Sequence, residues 1–157
     1  MIANVITEAK LKGACGRIDD VQSVASLAEL MFSPQGREFC QNTKFLRVDR
    51  LNHIASEAEE HNVFIGKRNV ITTAHKSAFI GSKGRVLCSG TEAIYNIIVA
   101  DNSHVEIVAT NYAVVMVTSI NGTYNITKDN TARIITIIPY NHVIVPNIPL
   151  FFILEAI

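Results

Sequence analysis

A chain of 157 residues, 48% hydrophobic and 18% charged, is one domain's worth and can bury roughly 70% of its unfolded surface without disulfides or metal. Lys plus Arg and Asp plus Glu number 14 each, so no global field attracts nucleic acid or an anionic membrane, and neither is expected as a partner. The charged fraction falls below the ~25% of an average domain, so much apolar surface must be hidden inside the fold or against other chains.

Cys15, Cys40 and Cys88 are odd in number and widely spaced, which excludes a disulfide framework and a metal knuckle. They are expected to be reduced, buried, small apolar side chains. The opening residues, Met1-Ile-Ala-Asn-Val-Ile-Thr-Glu8, lack the basic and apolar regions of a secretory signal, so the chain is expected to be made and to fold in the cytosol.

Residues 3–14 are compatible with a helix, and Gly13 to Gly16 break it. Asp19 or Asp20 can cap a second helix whose apolar residues Val21, Val24, Ala25, Ala28 and Met31 recur at helical spacing. Ser33-Pro34 opens a third, running to about Cys40: Ser accepts from free N–H groups, and Pro has no donor to leave unpaired. Asp49 opens another, with Leu51, Ile54, Ala55 and Ala58 on one face.

From Asn62 the hydrophobic period changes from 3.6 to 2 and β-branched residues take over. Turn residues punctuate the rest at Gly66, His75-Lys76, Gly84, Gly90, Asn102, Asn111, Asn121-Gly122 and Asn130. Within this region a pattern repeats after nineteen residues: Asn102 recurs as Asn121, Val105 as Tyr124, Ile107 as Ile126, Asn111 as Asn130, Ala113 as Ala132 and Val115 as Ile134. Asn tolerates the left-handed backbone of a tight corner, so each copy reads as strand, corner, strand, corner.

Such a register favours a β-solenoid, in which equivalent residues stack coil on coil. Asn121-Gly122, a favoured hairpin turn, argues instead for an antiparallel β-sandwich. The expected class is α+β, mainly β: N-terminal helices (1–61) capping a β-solenoid of about nineteen residues per coil (62–138), then an apolar, proline-containing tail (139–157). The helices would cover the first coil's free backbone edge, and the corner Asn side chains would form ladders.

Two stretches, Phe32-Ser-Pro-Gln-Gly-Arg-Glu-Phe-Cys40 and Asn111-Tyr-Ala-Val-Val-Met-Val117 with the later Asn130-Thr-Ala-Arg-Ile134, resemble small proteins encoded by phages, prophages and mobile elements of anaerobic gut bacteria. Those proteins combine a helical N-terminal part with a repetitive β part. The resemblance implies a phage-linked origin and a virion component such as a head fibre, a capsid decoration or a tail-associated protein. It carries over no catalytic residues.

No constellation for catalysis stands out, and no catalytic, cofactor-binding or metal residues are expected. His53, His61, His75, His104 and His142 fall on different elements without ligand spacing. Gly81-Ser-Lys-Gly84 has the look of a phosphate loop but reads as a turn. Glu92, Asp101, Glu106 and Asp129 are too few and too scattered for the carboxylate chemistry of sugar-cleaving solenoids. Ile65-Gly66 and Ile80-Gly81 hint at hexapeptide acyltransferases with His75 as base, yet fifteen residues is not a multiple of six.

The tail is broken by Pro139, Pro146 and Pro149, which rules out a membrane-spanning helix there. Its apolar residues either close the core of their own subunit or pair with a neighbour; the second reading makes Val143, Val145, Ile148, Leu150, Phe151, Phe152 and Leu154 an oligomer interface. The expectation is a non-enzymatic structural protein, a homo-oligomer with a trimer favoured, in a virion among other virion proteins. The competing reading is a cytoplasmic interaction module of a mobile element that binds a host protein.

Overall fold

The change of hydrophobic period at Asn62 is a change of architecture. In the computed structural model, which describes residues 1–137, the helices end at Glu59 and the strands begin at Val63. Nine strands follow: β1 (Val63–Ile65), β2 (Val70–Thr72), β3 (Lys76–Ile80), β4 (Lys83–Ser89), β5 (Tyr95–Ala100), β6 (His104–Thr110), β7 (Val114–Ile120), β8 (Thr123–Lys128) and β9 (Arg133–Ile137). Odd-numbered strands form one sheet in the order β1-β3-β5-β7-β9, even-numbered strands a second in the order β2-β4-β6-β8. All their pairings are parallel, so the chain winds as a β-solenoid and the sandwich alternative is excluded.

The nineteen-residue pattern is the register of the last coils: Val105 pairs with Tyr124, Ile107 with Ile126, and Val115 with Ile134. Earlier coils differ in length. Ile65 pairs with Ile80, Lys83 with His104 and Lys76 with Asn96, so the repeat is legible only where consecutive coils match. Between the sheets lies a narrow apolar core of Phe64, Phe79, Val86, Ile97, Val99, Val105, Ile107, Val115 and Val117.

Corners turn on left-handed residues: Gly66, Gly81, Asp101, Asn102, Asn111, Tyr112 and Asn121 all have positive φ. Asn121-Gly122 makes no hairpin. It carries the chain from one sheet to the other, and a Cβ at Gly122 would stand 2.5 Å from Val99 Cγ1. Gly84 is not a turn either; it lies inside β4 where Phe79 occupies the space a side chain would need.

The expected Asn ladders take a different form. Asn102 N–H donates to the Asn121 carbonyl at 2.8 Å, and Asn111 N–H donates to the Asp129 carboxylate at 3.1 Å. A second ladder is made of serine. Ser103 Oγ accepts from Ser82 N–H in a buried bond, and Ser82 Oγ accepts from Lys67 N–H in a part-buried one, both at 2.9 Å. Each hydroxyl thus satisfies a corner N–H of the preceding coil, and that of Ser82 is out of reach of water.

The helices are α1 (Ile2–Leu11), α2 (Val24–Phe32), α3 (Pro34–Thr43), α4 (Val48–Leu51) and α5 (Ala55–Glu59). Neither Asp19 nor Asp20 caps α2; both end a 3-10 turn, Gly16–Asp20, and Ser23 takes the role. Its hydroxyl accepts from Ser26 N–H at 3.1 Å while Ser26 Oγ accepts from Ser23 N–H at 3.0 Å, a reciprocal pair that satisfies two free donors. Ser33 caps α3 as expected, accepting from Gly36 N–H at 3.1 Å.

Capping of the solenoid is lateral. Val24, Ala28, Met31, Cys40, Phe45, Leu51 and Ile54 pack on the outer side of the five-stranded sheet, against Val63, Ile65, Ala78, Ile80, Ile98, Ala100 and Ile120. The helices therefore lie across four strands, β1, β3, β5 and β7. At the corner, a Cβ on Gly81 would meet Val48 Cγ2 at 2.2 Å, so the absence of a side chain lets α4 seat there.

Candidate functional site

The groups that could do chemistry are spread apart. His104 Nδ1 lies 3.0 Å from Thr123 Oγ1 one coil on, His75 stacks on Tyr95 with ring centroids 4.5 Å apart, and His53 Nε2 lies 3.2 Å from the Met1 carbonyl. His142 lies outside the described residues. Among the described residues no group of three His, Cys, Asp or Glu side chains is placed to hold a metal ion.

Three of the solenoid's four acidic side chains, all but Glu92, have local work. Glu106 accepts from Arg85 Nε at 2.9 Å and Nη2 at 2.7 Å, Asp101 accepts from Val48 N–H at 2.8 Å, and Asp129 accepts from Thr131 Oγ1 at 2.7 Å and Asn111 N–H at 3.1 Å. These bonds, the Thr131 hydroxyl foremost, hold the Asp129 carboxyl down at about 2. The Gly81-Ser-Lys-Gly84 stretch, a corner running into β4, spends its hydroxyl on the corner, since Ser82 Oγ donates to the Phe64 carbonyl at 2.8 Å.

Cys40 and Cys88 are buried, and loss of solvation pushes both thiols up to about 12, where they stay protonated and inert. Cys15 departs from the expectation: it is exposed, in the segment between α1 and the 3-10 turn. A cavity of about 70 Å³ lies under the helices, lined by Leu27, Met31, Phe39, Cys40, Phe45 and Ile80 among others. Its wall is almost wholly apolar, without the convergent polar groups that orient a ligand.

What remains is surface. The two sheets differ in what covers them: the outer side of β1, β3, β5 and β7 lies under the helices, whereas among the described residues no helix packs on the outer side of β2, β4, β6 and β8. That side presents two neighbouring columns, Ile71-Arg85-Glu106-Asn125 and Leu87-Val108-Thr127. Ile71 is 70% exposed and Leu87 38%. The Arg85–Glu106 pair is half exposed and adds little to stability, so these columns are held by the core beneath them.

Among the described residues, the end of the winding is a second surface without a packed neighbour. Among the described residues, β8 and β9 are the last strands of their sheets. Thr123 and Asp129 donate back to the Ser103 and Ala109 carbonyls of the coil below. Alternate residues of a parallel strand face opposite neighbours, so Tyr124, Ile126 and Lys128 turn their N–H and C=O groups away from β6. The inward side chains Tyr124, Ile126 and Ile134 are only partly buried. The residues expected as an oligomer interface, Val143, Val145, Ile148, Leu150, Phe151, Phe152 and Leu154, lie outside the described residues.

No protein-family model matches the chain, and no curated protein and no solved structure matches it. Among the described residues no helix is long and apolar enough to cross a membrane.

Proposed function

We propose that this is a non-enzymatic structural or assembly protein that joins a larger protein particle through the outer side of its four-stranded sheet, on which no described helix packs. The observation that carries the reading is Ile71 and Leu87 standing exposed on a parallel sheet, an arrangement that ordinarily has both sides covered. Lys83, Arg85, His104 and Glu106 on the same side mix their signs, which suits a protein surface better than a polyanion. The particle is a phage virion, in which the chain serves as a head fibre, capsid decoration or tail-associated protein; the likeness of residues 32–40, 111–117 and 130–134 to phage-encoded proteins supports this. Self-association into a homo-oligomer, a trimer first, fits the low charged fraction of the chain.

The test is light scattering and sedimentation of the full chain, alone and with particles from a host carrying the element. Wild-type protein should run above monomer mass or travel with particles, and Ile71→Arg and Leu87→Arg should each weaken that by tenfold or more while leaving circular dichroism unchanged. A monomer that never travels with particles would sink the virion reading in favour of an intracellular module binding a host protein. Unaltered association of both variants would place the contact elsewhere.

A further inference from the structure

Building on the reading of the four-stranded sheet as the assembly contact, we propose that its occupant is a second copy of this chain. The two copies pack face to face about a two-fold axis that runs along the strands, midway between β4 and β6.

The face carries its own complement. Its outward residues stand in rows across the strands: Lys83-His104-Thr123, Ile71-Arg85-Glu106-Asn125, Leu87-Val108-Thr127 and Ser89-Thr110. A two-fold axis along the strands keeps each row at its own height and exchanges β4 with β6 and β2 with β8. Arg85 of one copy then faces Glu106 of the other, Glu106 faces Arg85, and in the next row Leu87 and Val108 cover one another. Ile71, 70% exposed, comes under β8 of the second copy beside Asn125. An axis across the strands through the same row would instead set Arg85 on Arg85 and Glu106 on Glu106, which like-charge repulsion disfavours.

The ion pair also has bonding capacity left over. Within one chain Arg85 gives Nε and Nη2 to a single oxygen, Glu106 Oε2, at 2.9 and 2.7 Å. Among the described residues no hydrogen bond reaches Glu106 Oε1 or leaves Arg85 Nη1, so each copy keeps one charged acceptor and one charged donor in hand. Two copies in this arrangement close a ring of four alternating charges, each guanidinium bonded to both carboxylates.

Four strands about 4.8 Å apart and a β4 of seven residues at about 3.3 Å each give a footprint of roughly 19 by 23 Å. That is at the small end of specific protein contacts, so the pair is reversible and forms as concentration rises. A face packed on its own copy closes at two chains, and a three-fold assembly would use another surface.

Opposite charge reversals placed in separate full-length chains test the pairing. Arg85→Glu leaves Glu at both positions and Glu106→Arg leaves Arg at both, so in either variant the residues stay alike in sign within one chain and across the axis. Each should dissociate at least tenfold more readily than wild type in sedimentation over a concentration series, with circular dichroism unchanged. An equimolar mixture of the two should regain association as a heterodimer, because every reversed charge then meets its opposite across the axis. Variants that fail to combine would overturn the two-fold packing, as would a wild-type trimer or a wild-type chain that stays monomeric at every concentration. In those cases loss of particle association in Ile71→Arg and Leu87→Arg would keep the assembly reading, with a different occupant. Association untouched by all four variants would defeat both, since the contact would then lie off this face.

Discussion

Asp101, at a corner of the solenoid, accepts through its carboxylate the N–H of Val48, the first residue of α4, at 2.8 Å across a sequence separation of 53. Helix starts leave N–H groups unpaired, and the usual remedy is a local Ser, Thr, Asp or Asn. Here the residue before the helix is Arg47, whose side chain makes no such bond, and the acceptor comes from another part of the fold. Asp101 serves twice, since it also takes the left-handed backbone of the corner.

Asp101→Ala should then lower unfolding free energy by about 2 kcal/mol, from the lost cap and from Ala in a left-handed conformation. Asp101→Asn keeps both an acceptor and the backbone tolerance, and should lose less than half as much. Equal urea midpoints for the two variants would contradict the cap.

Truncations along the inward column should grade with depth. Ile107→Ala, at a fully buried site, should cost about 3 kcal/mol and Ile126→Ala, on the last described coil, about half of that. Thr127→Ala, on the exposed side of the same strand, should stay within about 0.5 kcal/mol. Chemical denaturation in which Ile126→Ala is no costlier than Thr127→Ala would show that the faces of β8 are reversed.

One substitution should stabilise. Ser77 is fully buried, its hydroxyl has no hydrogen-bond partner among the described residues, and its column neighbours are Ile97 and Val117. Ser77→Ala removes a desolvated polar group and should raise stability by about 1 kcal/mol. A lower melting temperature for this variant would mean that the hydroxyl is paired after all.

Acid should loosen one corner in particular. The folded Asp129 carboxyl sits at about 2, below the ~3.9 of an unfolded Asp, so its contribution is present above pH ~4 and is lost as pH falls toward 2. Denaturation midpoints measured at pH 5 and pH 2.5 should therefore converge more for Asp129→Asn than for wild type. An unchanged difference would show that the Thr131 and Asn111 bonds do not persist in solution.

The solenoid was legible because its last two full coils have the same length. Asn102 and Asn121, Ile107 and Ile126, and Val115 and Ile134 stack in the register in which they recur. The lateral position of the helices went unread, though the sequence carried it. Val63-Phe-Ile65, Ala78-Phe-Ile80 and Ile97-Ile-Val-Ala100 are unbroken apolar runs, the mark of strands buried on both sides, while β4, β6 and β8 alternate. The α2 cap was misplaced because Asp19 and Asp20 are good capping residues by type, and only the Ser23–Ser26 pair reveals which turn is used. The Asp101 cap had no local signal, since no pattern at Arg47-Val48 points to a carboxylate so far along the chain. The site is legible only as a contrast between two sheets, one continuous in its apolar runs and one alternating.

Arrays of stacked repeats ordinarily melt piecemeal, because each unit touches only its neighbours and a terminal one can peel away alone. The helices laid across β1, β3, β5 and β7 remove that freedom. Residues such as Ile65, Ile80, Ala100 and Ile120, from successive coils, share one cluster with Leu51 and Ile54, and Arg37 Nη1 reaches Asn96 Oδ1 at 2.9 Å. Detaching one coil would then strip the helical layer from the others as well. The helical segment works as a splint that ties the coils of β1, β3, β5 and β7 into one cooperative unit.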